Sequence, residues 1–211
     1  LRQLIGLLGI LLPFVCMAGA AIFQGKCVQE SISIYYYTNM RDFFIGAMGG
    51  LSLFLFTYKG YCKVDDLVTT DCAIIGLGLT VFPCMSAPGV ELPVGIFMIN
   101  ESTSEIIHST FAGLFFFLLA MNSIFLFTRS DLQKHEFLPE KKNRNSVYRA
   151  CGIIIICSLA LLGLIIWIKG KTYVRAHRIP LFFEIIMLIS FSISWLIKGG
   201  VILNDVEHEN P

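Results

Sequence analysis

Residues 150–168 read ACGIIIICSLALLGLIIWI, a run without a charged side chain, bounded by Arg149 on one side and Lys169 on the other. Its length matches the roughly 20 apolar residues that an α-helix needs to cross the hydrocarbon core of a bilayer. A soluble helix that is apolar on every face must be enclosed by protein all round, and the rest of the chain has no polar shell to enclose this one. It has five more apolar runs instead, at 4–23, 42–58, 72–86, 108–128 and 181–197, each flanked by charged or turn residues. The reading is an all-α fold, a polytopic membrane helical bundle with six transmembrane helices in a single domain over residues 1–211. The third run is short, and Pro83 interrupts its last turn, so five spans follow if it does not cross.

The composition agrees with the pattern. The 211 residues are 55% hydrophobic and 15% charged, with mean hydropathy +0.73, whereas soluble domains run at about 25% charged. Disordered, collagenous and secreted disulfide-rich classes are excluded. Net charge +1 provides no basic footprint for nucleic acid, and neither a glycine-rich phosphate loop nor a zinc-finger spacing occurs.

Six spans put both termini on one side of the membrane. With the N-terminus inside, ten of the 16 Lys and Arg residues fall on the cytoplasmic side and six outside, which favours an N-in/C-in topology. The basic 129–149 loop decides that balance, and the 169–178 segment opposes it. The first run, with Arg2 ahead of it and Ala18-Gly19-Ala20-Ala21 near its end, shares features with a cleaved signal peptide. Its apolar stretch is longer than a signal core, and it is read as a span. Gly46-x-x-x-Gly50 and Gly76-x-Gly78 are read as places of close helix packing. The seven cysteines contain no CxxC pair, so no cysteine metal cage or redox motif is expected, and no cofactor. Cys27 and Cys84 both map to the outer side, where an oxidising compartment would join them if their Cα atoms come within about 7 Å.

The informative residues are ionisable groups at span ends, because charge near hydrocarbon is costly and persists when it is paired or functional. Asp42 opens the second run, His108 opens the fourth, and Glu184 lies about one turn into the sixth, so all three sit at the outer ends of even-numbered spans. Converging on one outer-leaflet pocket, they would supply groups for binding, for general acid–base chemistry or for a metal. Each also has a plainer reading. Asp42 and Glu184 suit the positive end of a helix dipole, Arg41 reaches lipid phosphate, and His108 serves as a satisfied structural hydrogen-bonder. Ser102-x-x-Glu105 has capping-box spacing and would start the fourth helix before His108. Upstream, Ser31-Ile32-Ser33-Ile34-Tyr35-Tyr36-Tyr37 is rich in hydroxyls and aromatics. An interfacial tyrosine belt explains most of it; Ser31, Ser33 and a tyrosine such as Tyr36 lining a pocket mouth and binding a head group, or a serine nucleophile with His108 as its base, is the functional alternative.

The order Ser31-Ile32-Ser33, then Met40-Arg41-Asp42-Phe43-Phe44-Ile45-Gly46, then Gly76-Leu77-Gly78 leading to Phe82-Pro83, then His108-Ser109-Thr110-Phe111-Ala112-Gly113, resembles bacterial six-span membrane proteins of the DUF type. More distantly it is similar to the superfamily of the DRAM autophagy modulators and the GPI-anchor-remodelling membrane proteins. The resemblance implies a helical domain of the bacterial inner (plasma) membrane close to lipid metabolism, with Asp42 and His108 matching the pattern. The zinc-binding alkaline-ceramidase-like hydrolases are a poor match, because no paired-His motif occurs and His135, His177 and His208 fall in loops or the tail.

The expected function is binding of a membrane lipid or amphipathic ligand in the outer-leaflet pocket, with Arg41 on an anionic head group and Asp42, His108, Glu184, Ser33 and Tyr36 around it. A lipid-modifying enzyme using His108 with Asp42 or Glu184, and a small proton-coupled transporter, are the alternatives. A homo-oligomeric or membrane-protein complex partner stays open.

Overall fold

The structure is a computed structural model that describes residues 1–25, 28–60, 63–87, 92–129 and 139–202, without the side chains of residues 139 and 140. The described residues form α1 (Arg2–Gln24), a 3-10 turn (Ser33–Tyr37), α2 (Arg41–Thr57), α3 (Lys63–Val81), a short hairpin of β1 (Pro93–Val94) and β2 (Ile99–Asn100), α4 (Glu101–Met121), α5 (Pro139–Lys169), α6 (Lys171–Ala176) and α7 (Ile179–Lys198). The hairpin pairs antiparallel, Pro93 with Asn100 and Val94 with Ile99.

Six of the helices pack side by side as a closed ring, in the order α1, α2, α3, α4, α5, α7 and back to α1. The start of α1 and the end of α7 meet at what we call the lower end, where Gln3 Nε2 donates to the Gly199 carbonyl at 3.0 Å. At that end Trp195 is fully buried, edge-on to Tyr58 and Phe127, and the Arg129 guanidinium lies 3.0 Å from the buried carboxylate of Asp65. The segments around 28–40, 82–87, 92–100 and 170–178 gather at the upper end.

Four stretches are long and apolar enough to cross a membrane: Arg2–Gln24, Glu101–Leu126, Lys141–Lys169 and Ile179–Lys198. α2 has only 17 residues, about 25 Å at 1.5 Å per residue. α3 begins with Lys63, Asp65 and Asp66, and its two carboxylates suit the positive helix start.

Several boundaries differ from the sequence reading. The third run loses its last turn, since α3 ends at Val81 and Pro83 lies in the connector. α4 starts at Glu101 with Asn100 as N-cap, not Ser102, because Glu105 is used elsewhere, as described below. It passes at its far end into a π-helical turn, Asn122–Leu126. The extra residue in that turn brings Ser123 Oγ to 2.7 Å from both the Tyr148 carbonyl and Ser194 Oγ. α5 begins at Pro139, so the second part of the expected 129–149 loop is helix.

Close helix approach occurs where a side chain would collide. A Cβ on Gly9 would overlap Ser192 Oγ of α7, and one on Gly152 would lie 2.8 Å from the Ala120 carbonyl of α4. Gly76 and Gly78 behave as expected, pressed against Ser52 and Phe111. Gly46 and Gly50 do not: a Cβ on Gly46 meets nothing within 4 Å, and one on Gly50 comes only to 3.9 Å from Leu8.

Candidate functional site

The upper connectors are tied down by side-chain carboxyl groups that accept from backbone N–H groups. Glu184 Oε2, one turn into α7, accepts the Ile32 N–H at 2.5 Å, and the Leu181 N–H donates to the Glu30 carbonyl at 3.1 Å. From α4, Glu105 accepts the Met85 N–H at 2.8 Å and Glu101 accepts the Ser86 N–H at 2.5 Å. Tyr37 OH donates to the Cys84 carbonyl at 2.6 Å. Arg175 of α6 joins the connectors, donating from Nε to Glu30 at 2.5 Å and from Nη2 to the Met85 and Ser86 carbonyls at 3.1 and 3.0 Å. Such a planar fork of donors suits a guanidinium and no other side chain.

Beneath this roof lies a cavity of about 300 Å³. Its upper wall is polar, with Glu30, Ser31, Ser33, Glu105, His108, Lys171, Arg175 and Glu184; its lower wall is apolar, with Ala112, Gly113 and Phe116 from α4, Leu159, Leu162, Gly163 and Ile166 from α5, and Met187 from α7. α4 and α5 make it possible by diverging. They touch closely at Gly152, yet further up a Cβ on Gly113 or on Gly163 would meet nothing within 4 Å. Because α4 and α5 are neighbours in the ring, the gap between them faces outward from the bundle.

His108 is buried where the polar part of the cavity wall meets the apolar part, one turn of α4 before Ala112. Its Nδ1 lies 2.7 Å from the Phe82 carbonyl and its Nε2 lies 2.9 Å from Ser33 Oγ. A carbonyl only accepts, so Nδ1 carries the proton, and in the neutral ring Nε2 turns its lone pair toward the serine.

Among the sequence candidates, Ser33, His108 and Glu184 come together on this cavity. Arg41 and Tyr36 pair with each other, Nη2 donating to the phenol at 2.7 Å with the guanidinium 4.4 Å over the ring, and neither lines the cavity. Asp42 is exposed in the first turn of α2. The second wall therefore comes from α5 rather than α2. Sequence reasoning missed Glu30, Glu105, Lys171 and Arg175 as cavity residues. One signal pointed to two of them: the 169–178 segment placed cations against the charge rule.

Cys84 is a free, buried thiol at the cavity edge, in the connector beyond α3, whereas Cys27, His135 and His208 lie outside the described residues. Burial, reinforced by the Glu105 and Glu184 carboxylates and opposed by Arg175, holds the Cys84 thiol well above its ordinary pKa. Thiolate is the reactive form. We therefore expect N-ethylmaleimide at pH 8 to leave Cys84 unmodified in the folded protein and to modify it after SDS denaturation, read by peptide mass mapping. Full modification before denaturation would show that the connector does not enclose it.

Among the described residues, no three His, Cys, Asp or Glu side chains are grouped to hold a metal ion. Compared with family models, curated proteins and solved structures, the chain matches none. The functional reading accordingly stands on the cavity.

Proposed function

We propose that this is a six-span membrane protein, both termini cytoplasmic, in the inner (plasma) membrane of a bacterium, that binds a lipid or similar amphipathic ligand in an outer-leaflet cavity. The observation that carries the reading is the polarity of the cavity wall. Charged and hydroxyl side chains form its top, apolar side chains form its lower part, and the opening between α4 and α5 faces outward along that apolar part. A ligand with a polar head and hydrocarbon chains satisfies both halves; a wholly polar solute would leave the lower wall without a partner. The mouth combines carboxylates at Glu30, Glu105 and Glu184 with cations at Lys171 and Arg175, which suits a head group bearing both signs of charge.

The six-span topology is supported by α2 and α3 running between the same two ends of the ring as the four longer helices. Arg41 and Tyr36 meet at the upper end of α2 and Tyr58 packs on Trp195 at its lower end. The orientation is supported by the Lys/Arg balance, ten inside against six outside.

The test is to fill the gap. In Gly113→Phe/Gly163→Phe the new rings occupy the space between α4 and α5. Protein purified in mild detergent is extracted and its lipids quantified by mass spectrometry. Wild type is expected to retain a lipid in stoichiometric amount, and the double variant to drop to the level of bulk carry-over with thermal stability unchanged. Equal retention by both proteins would overturn the reading.

A further inference from the structure

We propose that Ser33 and His108 form a nucleophile–base pair that cleaves a carboxylic ester of the lipid held in the cavity; this rests on the lipid-binding reading above. The two residues are 75 positions apart and come from different elements, the 3-10 turn and α4, yet Ser33 Oγ stands 2.9 Å from His108 Nε2. The imidazole is locked from behind by Nδ1–H donating to the Phe82 carbonyl at 2.7 Å. A nucleophile, a base within hydrogen-bond reach and a third group that holds the base in one tautomer is the arrangement that activates a serine; here the third group is a backbone carbonyl.

Neighbouring hydroxyls show what a purely structural serine does in this fold. Ser104 Oγ donates to the Pro83 carbonyl at 2.7 Å, and Thr38 Oγ1 to the Tyr35 carbonyl at 2.9 Å. Ser33 instead takes a ring nitrogen, and both partners line the cavity, where a ligand can reach them. Glu184 acts as a positioning residue, because its carboxylate holds the Ile32 N–H immediately before the serine. Depth fits as well. The pair sits where the polar wall meets the apolar one, and in an acyl lipid the ester lies between head group and chain.

The step balances without a co-reactant other than water. Ser33 Oγ bonds to the ester carbonyl carbon as its proton passes to His108 Nε2. The adduct collapses, the bond from carbon to the alcohol oxygen breaks, and Nε2–H returns its proton to the departing alcohol, leaving an acyl-Ser33. Water then attacks the acyl carbon, giving a proton to Nε2. Collapse releases a fatty acid and restores the Ser33 hydroxyl. Nδ1–H stays on the Phe82 carbonyl throughout.

The test treats the protein, purified in mild detergent, with an alkyl fluorophosphonate, whose fluoride is displaced by an activated serine oxygen, and locates the adduct by peptide mass spectrometry while co-purified lipid is measured on the same sample. The expected result is an adduct on Ser33 of the wild type, none in Ser33→Ala, and labelling slowed roughly 100-fold in His108→Gln, in the range of one positioned base, with lipid retained by the wild type. Retained lipid with no wild-type adduct at Ser33, or with labelling unaffected by His108→Gln, would overturn the nucleophile assignment and leave lipid binding standing. Absence of retained lipid from the wild type would overturn the binding reading, and this proposal with it.

Discussion

Arg175→Ala is expected to destabilise the protein by about 3 kcal/mol and to release the lipid proposed for the cavity. The guanidinium makes three hydrogen bonds to three different residues, and only 19% of its side chain is exposed. Hydrogen bonds involving a charged partner contribute about 1.5–3 kcal/mol each. They do not add fully here, because Glu30 is half-open to solvent and regains water when its partner leaves. With roughly 2–4 °C per kcal/mol for a chain of this size, the apparent Tm in detergent should fall by about 6–12 °C. Arg175→Lys should recover little, since one ammonium cannot address a carboxylate and two carbonyls from one plane. Thermal unfolding and bound-lipid quantification check this. A variant as stable and as lipid-loaded as the wild type would show that the connectors hold together without the fork.

The same residue shows where sequence reading stops. Apolar runs mark helices because burial of hydrocarbon is set by local composition, so α5 and α7 were legible from their side chains alone. His108 and Glu184 were legible for the complementary reason: a polar group near hydrocarbon is costly and needs a partner. The partners were not legible. Glu105 was read as half of a capping box, but its carboxylate goes to the Met85 N–H of a folded-back connector, a choice made by tertiary packing 20 positions away. Asp65 lies in a polar stretch between two apolar runs and is buried against Arg129, 64 positions distant. Arg41 beside Asp42 looked like a site pair, and its neighbour in the 3-10 turn, Tyr36, took the guanidinium instead. Lys171 and Arg175 sit on α6, a helix of only six residues, too short to display a periodic pattern. Apolar runs therefore located the helices but not which of them part to form the cavity, and its roof depends on long-range hydrogen bonds that have no sequence period.

Gly9→Val should be the strongest single perturbation of the bundle itself. α1 and α7 carry a large share of the ring's packing, and they approach so closely that a Cβ on Gly9 would overlap Ser192 Oγ and stand 3.0 Å from two carbons of the Phe191 ring. Neither neighbour can yield easily, because Ser192 and Phe191 are both buried and Phe191 is packed near Trp195, with ring centroids 6.1 Å apart. Overpacking of this kind costs about 1–3 kcal/mol and sometimes more, and a β-branched residue adds two further methyl groups to the overlap. Gly46→Ala is the matched opposite. It lies in the interior of α2 with open space at its Cβ, so the methyl group collides with nothing while the unfolded chain loses conformational freedom, a gain of about 0.4–1 kcal/mol. Unfolding of the two variants in one detergent should therefore move in opposite directions from the wild type. A Gly9→Val protein as stable as the wild type would show that the close α1–α7 contact is not what holds the ring shut, and a fall in Gly46→Ala would show that its Cβ position is not open space.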